Sequence, residues 1–242
     1  MRFVQYFLYG CVRSSSWLFL RLRYDLKVTG RHFVPKKGTF IVASNHVSFL
    51  DPLVIGASCP RRLVFMARED LWKNPFMAAY MWGMRVVPLK RGESDIAAVR
   101  MAIRSLKQGE PIGLFPEGTR QADGRLSQAK RGVGLLACRA KVPIVPVVVQ
   151  GTYEALPRDA KRLQPSKIRV AFGEPIPYTI EAVSPGSPID SRDVVIRSSG
   201  DSQADALSDN SAKATSERHE QLAQALTRRW QQLLQDLKAG QQ

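Results

Sequence analysis

Residues 39–52 read TFIVASNHVSFLDP, and in this stretch an apolar run leads directly into a histidine and a carboxylate. The run Thr39–Ala43 predicts a buried strand, and His46 and Asp51 follow shortly after its end. A histidine beside an orienting carboxylate is what general-base chemistry requires. The chain has three histidines, and only His46 lies at such a junction. We therefore predict that His46 and Asp51 form a catalytic pair.

The spacing of this pair requires a turn. Residues five apart on one continuous helix lie about 140° around its axis, so their side chains would not meet. Proline is favoured at the first position of a helix, and aspartate is a preferred N-cap residue. We therefore expect a turn over Ser44–Leu50, with Asp51 capping a helix that begins at Pro52. Spacing alone leaves the alternative that Asp51 only caps its helix and His46 only fills the turn.

Length, composition and charge favour a globular protein with an anionic partner. The chain has 242 residues, of which 44% are hydrophobic, enough to bury one sizeable core. The formal net charge of +15 suits a phosphate-bearing substrate, an acidic lipid or nucleic acid. The three cysteines Cys11, Cys59 and Cys138 are scattered, which favours a reducing compartment over a disulfide framework or a metal site.

Residues 1–24 are the membrane-like segment of the sequence. Arg13 and the serines after it interrupt the apolar residues, so no run of 18 or more uncharged apolar residues is available to span a bilayer. A helical wheel gathers apolar side chains, among them Phe7, Leu18 and Leu22, on one side. We therefore expect an amphipathic helix in the membrane interface instead of a cleaved signal peptide. A helix packed on the domain, or a mixture of both arrangements, is the alternative.

Apolar, β-branched runs alternate with helical stretches from residue 25 to about residue 173. This alternation predicts an α/β fold with a mixed, largely parallel central sheet flanked by helices. Ligands of such sheets bind at the carboxyl ends of the strands, where the His46 turn is expected. The expected strands are Leu26–Val28, Thr39–Ala43, Leu63–Ala67, Arg85–Leu89, Ile112–Phe115, Ile144–Val149 and Ile168–Phe172, and the expected helices are Pro52–Cys59, Leu71–Trp82, Ser94–Lys107 and Gly132–Ala140.

The composition changes near Glu181. Residues 181–216 are rich in Ser, Asp, Ala and Pro and lack aromatic residues, so we expect a disordered insertion. Residues 217–242 resume helical periodicity, and we expect their apolar stripe to pack on the domain at 25–180. The members of this stripe are Leu222, Leu226, Trp230, Leu233 and Leu237.

Three loops after predicted strands carry basic residues or glycine. Residues 116–120 read PEGTR, in which Gly118 permits close backbone approach and Thr119 and Arg120 suit a phosphate. Lys130 precedes the amino end of the next helix, which also favours an anion. Arg91 lies in a third loop, at 88–92. An ordinary solvated turn explains each loop alone, but their common position beside His46 indicates a shared anion site.

Four ordered blocks resemble the glycerolipid acyltransferase superfamily, most closely its 1-acyl-sn-glycerol-3-phosphate (lysophosphatidic acid) acyltransferase branch. They are NHVSFLD at 45–51, VPLKRG at 87–92, FPEGTR at 115–120 and VPIVPV at 142–147. The resemblance covers about residues 25–180 and, more loosely, the final helix. The first and third blocks are specific in combination, whereas the second departs from the family's usual aromatic–Ile/Val–Asp–Arg ending.

The resemblance implies a glycerol-3-phosphate acyltransferase-like fold and transfer of a fatty acyl group from acyl-CoA or acyl-ACP to the free hydroxyl of 1-acylglycerol-3-phosphate. The product would be phosphatidic acid. His46 would be the general base, Asp51 would orient it, and no acyl-enzyme would form. The implied acceptor-binding residues are Arg91, Glu117, Gly118, Thr119 and Arg120, with Lys130 beside them.

The resemblance implies no metal and no cofactor besides the acyl-CoA or acyl-ACP co-substrate. The expected partners are a lysophospholipid acceptor, acyl-CoA or acyl carrier protein, and an anionic membrane surface on the cytoplasmic face. We expect no nucleic acid, since the sequence shows no base-stacking or groove-reading motif.

Alternatives to this assignment differ in acceptor, chemistry or class. The acceptor is another lysolipid or a polar alcohol in the first alternative, which the unusual second block permits. In the second, Ser48 is a nucleophile, although the sequence has no G-x-S-x-G elbow. In the third, the chain is a non-enzymatic basic module that binds nucleic acid or anionic membrane through its charge alone.

Overall fold

The protein is built around a β-sheet in the computed structural model, which describes residues 2–84, 86–89, 95–157, 160, 162–179 and 207–240. Each strand forms where an apolar, β-branched run was found in the sequence. The strands are β1 (Lys27–Thr29), β2 (Ile41–Ser44), β3 (Met66–Arg68), β4 (Val87–Leu89), β5 (Ile112–Leu114), β6 (Ile144–Gln150) and β7 (Arg169–Phe172).

Helices connect these strands and flank the sheet. Short 3₁₀ turns lie at Arg31–Phe33 and Glu69–Lys73. The α-helices are α1 (Arg2–Tyr24), α2 (Asp51–Ser58), α3 (Pro75–Gly83), α4 (Asp95–Lys107), α5 (Gly132–Ala140), α6 (Thr152–Ala155) and α7 (Leu207–Ala239).

The central sheet has five strands in the order β1-β7-β6-β2-β5. All neighbours are parallel except β6 and β7, which confirms the predicted α/β fold with a mostly parallel sheet. A parallel β3–β4 pair adjoins β5 through a bridge between Val64 and Ile112. Because β2, β5 and β6 run in the same direction, the loops that follow them meet at one edge of the sheet.

Strand β2 is central and buried on both faces, as expected of a parallel strand covered by helices. Alternate residues point to opposite faces. Ile41 packs in the core that includes residues of α4, α5 and α7. Val42 packs in the other core, which includes residues of α1 and α2. Helices therefore cover both faces of the sheet.

Helix α7 is anchored on β2 by one buried tryptophan. Trp230 is fully buried, and its Nε1–H donates to the carbonyl of Ala43 at 3.0 Å. Leu222 and Leu226 of the same stripe are also fully buried. The expectation that the stripe packs on the domain is confirmed, and the anchor lies two residues before Asn45.

Helix α1 packs on the domain with some of its side chains and exposes apolar side chains elsewhere. Its side chains Tyr9, Leu20 and Tyr24 are buried in the domain, whereas 66% of Phe7 and 78% of Leu22 are exposed. Within the described part of the chain, no helix has the length and apolar character needed to cross a bilayer. Contact of α1 with a membrane stays a prediction.

Three features of the described helices differ from the sequence expectations by more than a residue or two. The expected helix Leu71–Trp82 is divided before Pro75, because proline cannot continue a preceding helix, and Asn74 Oδ1 accepts the Met77 N–H at 3.1 Å to start α3. Helix α7 begins at Leu207 and not at 217, so the end of the expected insertion is helical. The expected insertion over 181–206 lies outside the described residues, and helix α6 was not expected.

Replacement of Trp230 by phenylalanine tests the anchor of α7. The ring stays apolar, but the hydrogen bond to Ala43 is lost, and we expect the free energy of unfolding to fall by about 1–3 kcal/mol. Urea unfolding measures the change. Trp82 is 53% exposed, so Trp82→Phe is the matched control and should have little effect. Equal effects of the two substitutions would contradict an anchoring role for Trp230.

Candidate active site

Asn45 extends the pairing of β2 and β6 into the turn that follows β2. Its Nδ2–H donates to the Val149 carbonyl at 3.0 Å, and its Oδ1 accepts the Val149 N–H at 2.8 Å. The side-chain amide thus replaces the backbone pair that would come next in the ladder. This contact fixes the point at which the chain leaves the sheet and His46 begins the turn.

Asp51 gathers the turn around one carboxylate oxygen. Its Oδ2 accepts hydrogen bonds from His46 Nδ1 at 2.8 Å, the Val47 N–H at 2.7 Å and the Ser48 N–H at 2.8 Å. The carboxylate is fully buried, so at Oδ2 these donors replace the water that would otherwise solvate that oxygen. The predicted approach of His46 and Asp51 is confirmed.

The predicted N-cap role of Asp51 is wrong. Helix α2 begins at Asp51 itself, and its N-cap residue is Leu50. The side chain turns back toward residues 46–48, while the Val54 N–H donates to the Leu50 carbonyl at 2.9 Å. Three donors in the turn hold the carboxylate more strongly than the single bond that an N-cap makes.

The geometry assigns the tautomer of His46. Asp51 Oδ2 accepts two backbone N–H bonds, so it is the acceptor toward the imidazole, and Nδ1 carries the proton. Nε2 is then the nitrogen able to take a proton. The ring stacks on Phe115 with 4.0 Å between ring centroids, and 18% of the side chain is exposed. His46 is therefore held on one face and reachable from solvent.

Ser48 serves the structure of the turn. Its Oγ–H donates to the Leu156 carbonyl at 2.9 Å, and Oγ accepts the Leu50 N–H at 3.3 Å. The residue is fully buried. These contacts oppose the alternative in which Ser48 is a nucleophile, since its proton is committed to a carbonyl oxygen.

Glu117 lies against the backbone of His46. Its Oε1 accepts the His46 N–H at 3.2 Å, and the residue is only 3% exposed. Burial raises the pKa of Glu117 to about 7, and the negative charge of Asp51 acts in the same direction, whereas hydrogen bonds from the Gln121 side chain and from the backbone of His46 and Ser127 lower it. The hydrogen bond from the His46 N–H to Glu117 Oε1 allows Glu117 to position the His46 turn.

The loop at 117–121 is tied to the same turn. The Gln121 N–H donates to the His46 carbonyl at 2.9 Å, so both backbone groups of His46 bond to this loop. Gly118 has a positive φ of 80°, and a Cβ there would come within 2.7 Å of Lys130 Nζ. The Lys130 side chain therefore lies across Gly118, and the positive φ favours glycine at this position.

The structure brings most of the predicted site residues to one edge of the sheet. His46, Asp51 and Glu117 contact one another directly or through the backbone, and Gly118 lies under Lys130. Thr119 is exposed in the same loop, and Arg120 is half-buried. Arg91 lies outside the described residues, so its assignment to the site stays a prediction.

The expectation that no metal is needed also stays a prediction. No group of three or more His, Cys, Asp or Glu side chains in the described ranges is arranged to hold a metal ion.

Sequence reasoning missed two aromatic residues of the site. Phe115 supports the His46 ring, and Phe49 lies under the guanidinium of Arg120, whose Cζ is 3.4 Å from the ring centroid. Both residues stand inside the quoted blocks, but the sequence carried no signal of which side chain each ring would meet. Partners 69 and 71 residues apart become neighbours only when β2 pairs with β5.

Comparison with known proteins gives consistent matches. A 1-acyl-sn-glycerol-3-phosphate acyltransferase of Bacillus subtilis is 29% identical over 171 residues, which are 70% of this chain and 82% of that protein. The human 1-acyl-sn-glycerol-3-phosphate acyltransferase alpha is 33% identical over 155 residues, 63% of this chain and 55% of the human protein. A chloroplastic enzyme of the same name from Arabidopsis thaliana is 32% identical over 157 residues, 63% of this chain and 44% of that protein. The chain thus spans about half the length of the human and plant relatives.

A solved structure has the same fold. The crystal structure of the 1-acyl-sn-glycerophosphate (LPA) acyltransferase PlsC from Thermotoga maritima aligns with a TM-score of 0.64 and 28% identity, covering 75% of this chain and 72% of that chain. The family model described as acyltransferase matches residues 25–150, the part of the chain that carries β1 to β6 and the His46 turn. Because this match is more than half of the chain, the protein belongs to the acyltransferase family, which confirms the resemblance that the four sequence blocks indicated.

Proposed function

We propose that the protein transfers a fatty acyl group from acyl-CoA or acyl-ACP to the free hydroxyl of 1-acylglycerol-3-phosphate, giving phosphatidic acid. The observation that carries the proposal is the 2.8 Å contact between His46 Nδ1 and Asp51 Oδ2 at the carboxyl edge of the sheet. It leaves Nε2 of an accessible imidazole as a general base. The names of the relatives support this acceptor.

The reaction that fits this geometry is a direct transfer. His46 Nε2 removes the proton from the acceptor hydroxyl, and the oxygen attacks the carbonyl carbon of the thioester. The carbon–sulfur bond then breaks, and the leaving thiolate takes the proton back from the imidazolium. The Asp51 carboxylate stabilises the imidazolium while the proton is held. No protein nucleophile is needed, in agreement with the contacts of Ser48.

The loop at 117–121 supplies the cationic side of the proposed site. Arg120 is suited to the phosphate of the acceptor, because a guanidinium presents parallel N–H donors to two phosphate oxygens. Lys130 lies across Gly118 and adds charge to the same loop. The Glu117 side chain and the Gln121 backbone both bond to the backbone of His46, which supports a site shared by this loop and the proposed general base.

One panel of acceptor substrates distinguishes the alternative acceptors. Another lysolipid or a polar alcohol would use the same general base, so purified protein with one acyl-CoA and a series of acceptors distinguishes them. Family membership favours an enzyme over a non-enzymatic basic module. The absence of nucleic-acid binding stays a prediction.

We also propose that the protein docks on the cytoplasmic face of an anionic membrane through α1. Leu18 and Leu22 are 52% and 78% exposed on this helix, and the chain carries a net charge of +15. Apolar side chains that enter the interface and cations that meet acidic headgroups act together in such docking.

Replacement of His46 by alanine tests the general base. We expect acyl transfer from acyl-CoA to lysophosphatidic acid to fall by about a hundred- to ten-thousandfold, because a positioned general base typically contributes that much to the rate. Turnover is measured on protein whose thermal unfolding matches the wild type. His32 is exposed, and His32→Ala is the matched control. Near-wild-type turnover of the folded His46→Ala variant would contradict a general-base role for His46.

Replacement of Glu117 by glutamine tests the buried carboxyl. The pKa of Glu117 in the folded protein, about 7, lies above its ordinary value of 4.5. The stabilising effect of the bound proton is therefore complete below about pH 4.5 and is lost as the pH rises toward 7. Glutamine keeps an oxygen for the His46 N–H and never ionises. From pH 5 to pH 8 we expect Glu117→Gln to gain up to about 3 kcal/mol of stability relative to wild type.

Urea unfolding at pH 5, 6, 7 and 8 measures this difference. Glu154 is exposed on α6, and Glu154→Gln is the control whose profile should run parallel to that of the wild type. If the stability of the Glu117→Gln variant also changes with pH in parallel with that of the wild type, then Glu117 does not gain a proton on folding.

Loss of the exposed leucines tests the membrane surface. We expect the double substitution Leu18→Gln and Leu22→Gln to weaken binding to vesicles of phosphatidylcholine and phosphatidylglycerol by about tenfold or more, because two apolar side chains no longer enter the interface. Co-sedimentation with vesicles measures the change. Ile96 is 60% exposed on α4, which packs on the opposite face of the sheet, so Ile96→Gln is the control. Unchanged binding of the double variant would refute docking through α1.

A further inference from the structure

Tyr153 of helix α6 contacts the chain just after the loop at 117–121. Its O–H donates to the Ala122 carbonyl at 3.0 Å. Its ring lies against Gly124, because a Cβ at that glycine would come within 2.8 Å of two ring carbons. Gly124 also has a positive φ of 70°, which glycine tolerates. The proposed reaction gives no part to Tyr153.

Helix α6 is a firm support for this contact. The Gly151 carbonyl accepts the Ser166 Oγ–H at 2.7 Å and the Ala155 N–H at 3.1 Å. The Gln164 N–H donates to the Ala155 carbonyl at 2.8 Å, and Ala155 is fully buried. Movement of α6 would break these bonds and expose buried backbone groups.

The same helix also bonds the turn that carries His46. Leu156, the residue after α6, accepts the Ser48 Oγ–H at 2.9 Å. The Leu156 N–H donates to the Thr152 carbonyl at 3.0 Å, so this residue is tied to the helix. One short helix thus contacts the turn at 44–50 through Leu156 and the chain after residue 121 through Tyr153.

The segment that Tyr153 contacts has no regular secondary structure of its own. Residues 121–130 form neither helix nor strand. The Gln121 N–H donates to the His46 carbonyl at 2.9 Å, and the Lys130 N–H donates to the Pro116 carbonyl at 2.9 Å. Tyr153 meets the segment between these two attachments. It therefore restricts a stretch whose conformation no helical or strand hydrogen bonds maintain.

This segment encloses Glu117. Burial raises the pKa of Glu117 to about 7, and hydrogen bonds from the Gln121 side chain and the Ser127 backbone act against this rise. Glu117 in turn accepts the His46 N–H at 3.2 Å. Residues 122–124 lie between Gln121 and Ser127 in the chain. A displacement at 122–124 would therefore disturb both groups that bond Glu117.

We infer that Tyr153 is a positioning residue, which holds residues 121–127 around Glu117 and so keeps the loop at 117–121 aligned with the His46 turn. Its effect on the reaction rests on the proposed function, in which the loop at 117–121 binds the acceptor. A loop that is already ordered binds its ligand at a smaller entropic cost. The three N–H donors to Asp51 Oδ2 orient the His46 imidazole without Tyr153. Acceptor binding should therefore depend on Tyr153, and the turnover number should not.

Hydrogen exchange of the free protein tests whether Tyr153 holds the segment. We expect Tyr153→Phe to speed the exchange of amides at 121–127 by about two- to tenfold, the range for loss of one neutral hydrogen bond. The amides of Val47 and Ser48 donate to Asp51 and should keep their wild-type rates. Tyr178 is a half-buried tyrosine that packs in the core with α7, so Tyr178→Phe is the matched control.

Steady-state kinetics on lysophosphatidic acid and acyl-CoA test the consequence for the reaction. We expect Tyr153→Phe to raise the KM for lysophosphatidic acid by about two- to tenfold. The kcat and the KM for acyl-CoA should stay within about twofold of wild type, because the interaction lost serves acceptor binding alone. Tyr153→Leu also loses the ring contact with Gly124 and should raise the KM for lysophosphatidic acid further. Tyr178→Phe should leave all three constants unchanged.

The outcomes separate this inference from the proposed function. Unchanged exchange at 121–127 in Tyr153→Phe overturns the inference whatever the kinetics, and a raised KM without faster exchange would indicate that Tyr153 touches the acceptor. Faster exchange with an unchanged KM for lysophosphatidic acid also overturns it, because Tyr153 then has a structural role only. If the wild type does not acylate lysophosphatidic acid, the proposed function fails, and the exchange rates alone decide whether Tyr153 holds the segment. Thermal unfolding shows whether each variant is folded.

Discussion

The structure of the site depends on one buried carboxylate oxygen, Asp51 Oδ2, and the three N–H donors that surround it. These donors lie within 2.7–2.8 Å and come from His46, Val47 and Ser48. A buried carboxylate without donors would carry a large desolvation cost, so the chain between β2 and α2 must wrap around this oxygen. The same wrapping fixes the imidazole tautomer. Folding of the turn and orientation of the His46 imidazole are therefore one event.

Rigid elements hold this turn at both ends. Asn45 pairs with the Val149 backbone of β6, and Trp230 of α7 donates to Ala43 of β2. A residue near the end of the chain thus supports a strand near its beginning, two residues before the turn. Sites that must keep sub-ångström geometry are more reliable on such elements than on free loops. The C-terminal helix consequently contributes to the site without contributing a reacting group.

Local patterns predicted the parts of this molecule that depend on local physics. Apolar β-branched runs placed the strands in the described part of the chain to within a few residues, and Pro52 indicated the start of α2. The predicted direction of the Asp51 side chain was wrong. The same sequence allows an aspartate to cap the helix that follows or to bond the N–H groups of the turn that precedes it, and the folded structure decides which donors lie within reach. The pairing of Phe49 with Arg120 and of His46 with Glu117 depends on strand order, which no local pattern reports. The start of α7 was misplaced because residues 207–216 resemble an insertion in composition, although they are helical.

Asp51 and Glu117 both lie near the His46 imidazole, but their surroundings differ. Asp51 receives three short N–H bonds, including the one from the imidazole. Glu117 receives the His46 N–H at 3.2 Å, and burial raises its pKa to about 7, with the Asp51 charge acting in the same direction. Below that pH, Glu117 is neutral, and the negative charge of the pair is concentrated on the Nδ1 side of His46. In the proposed reaction, charge at that position stabilises the imidazolium that forms when Nε2 accepts a proton. The unequal distribution of N–H donors thus separates the orienting carboxylate from the positioning one.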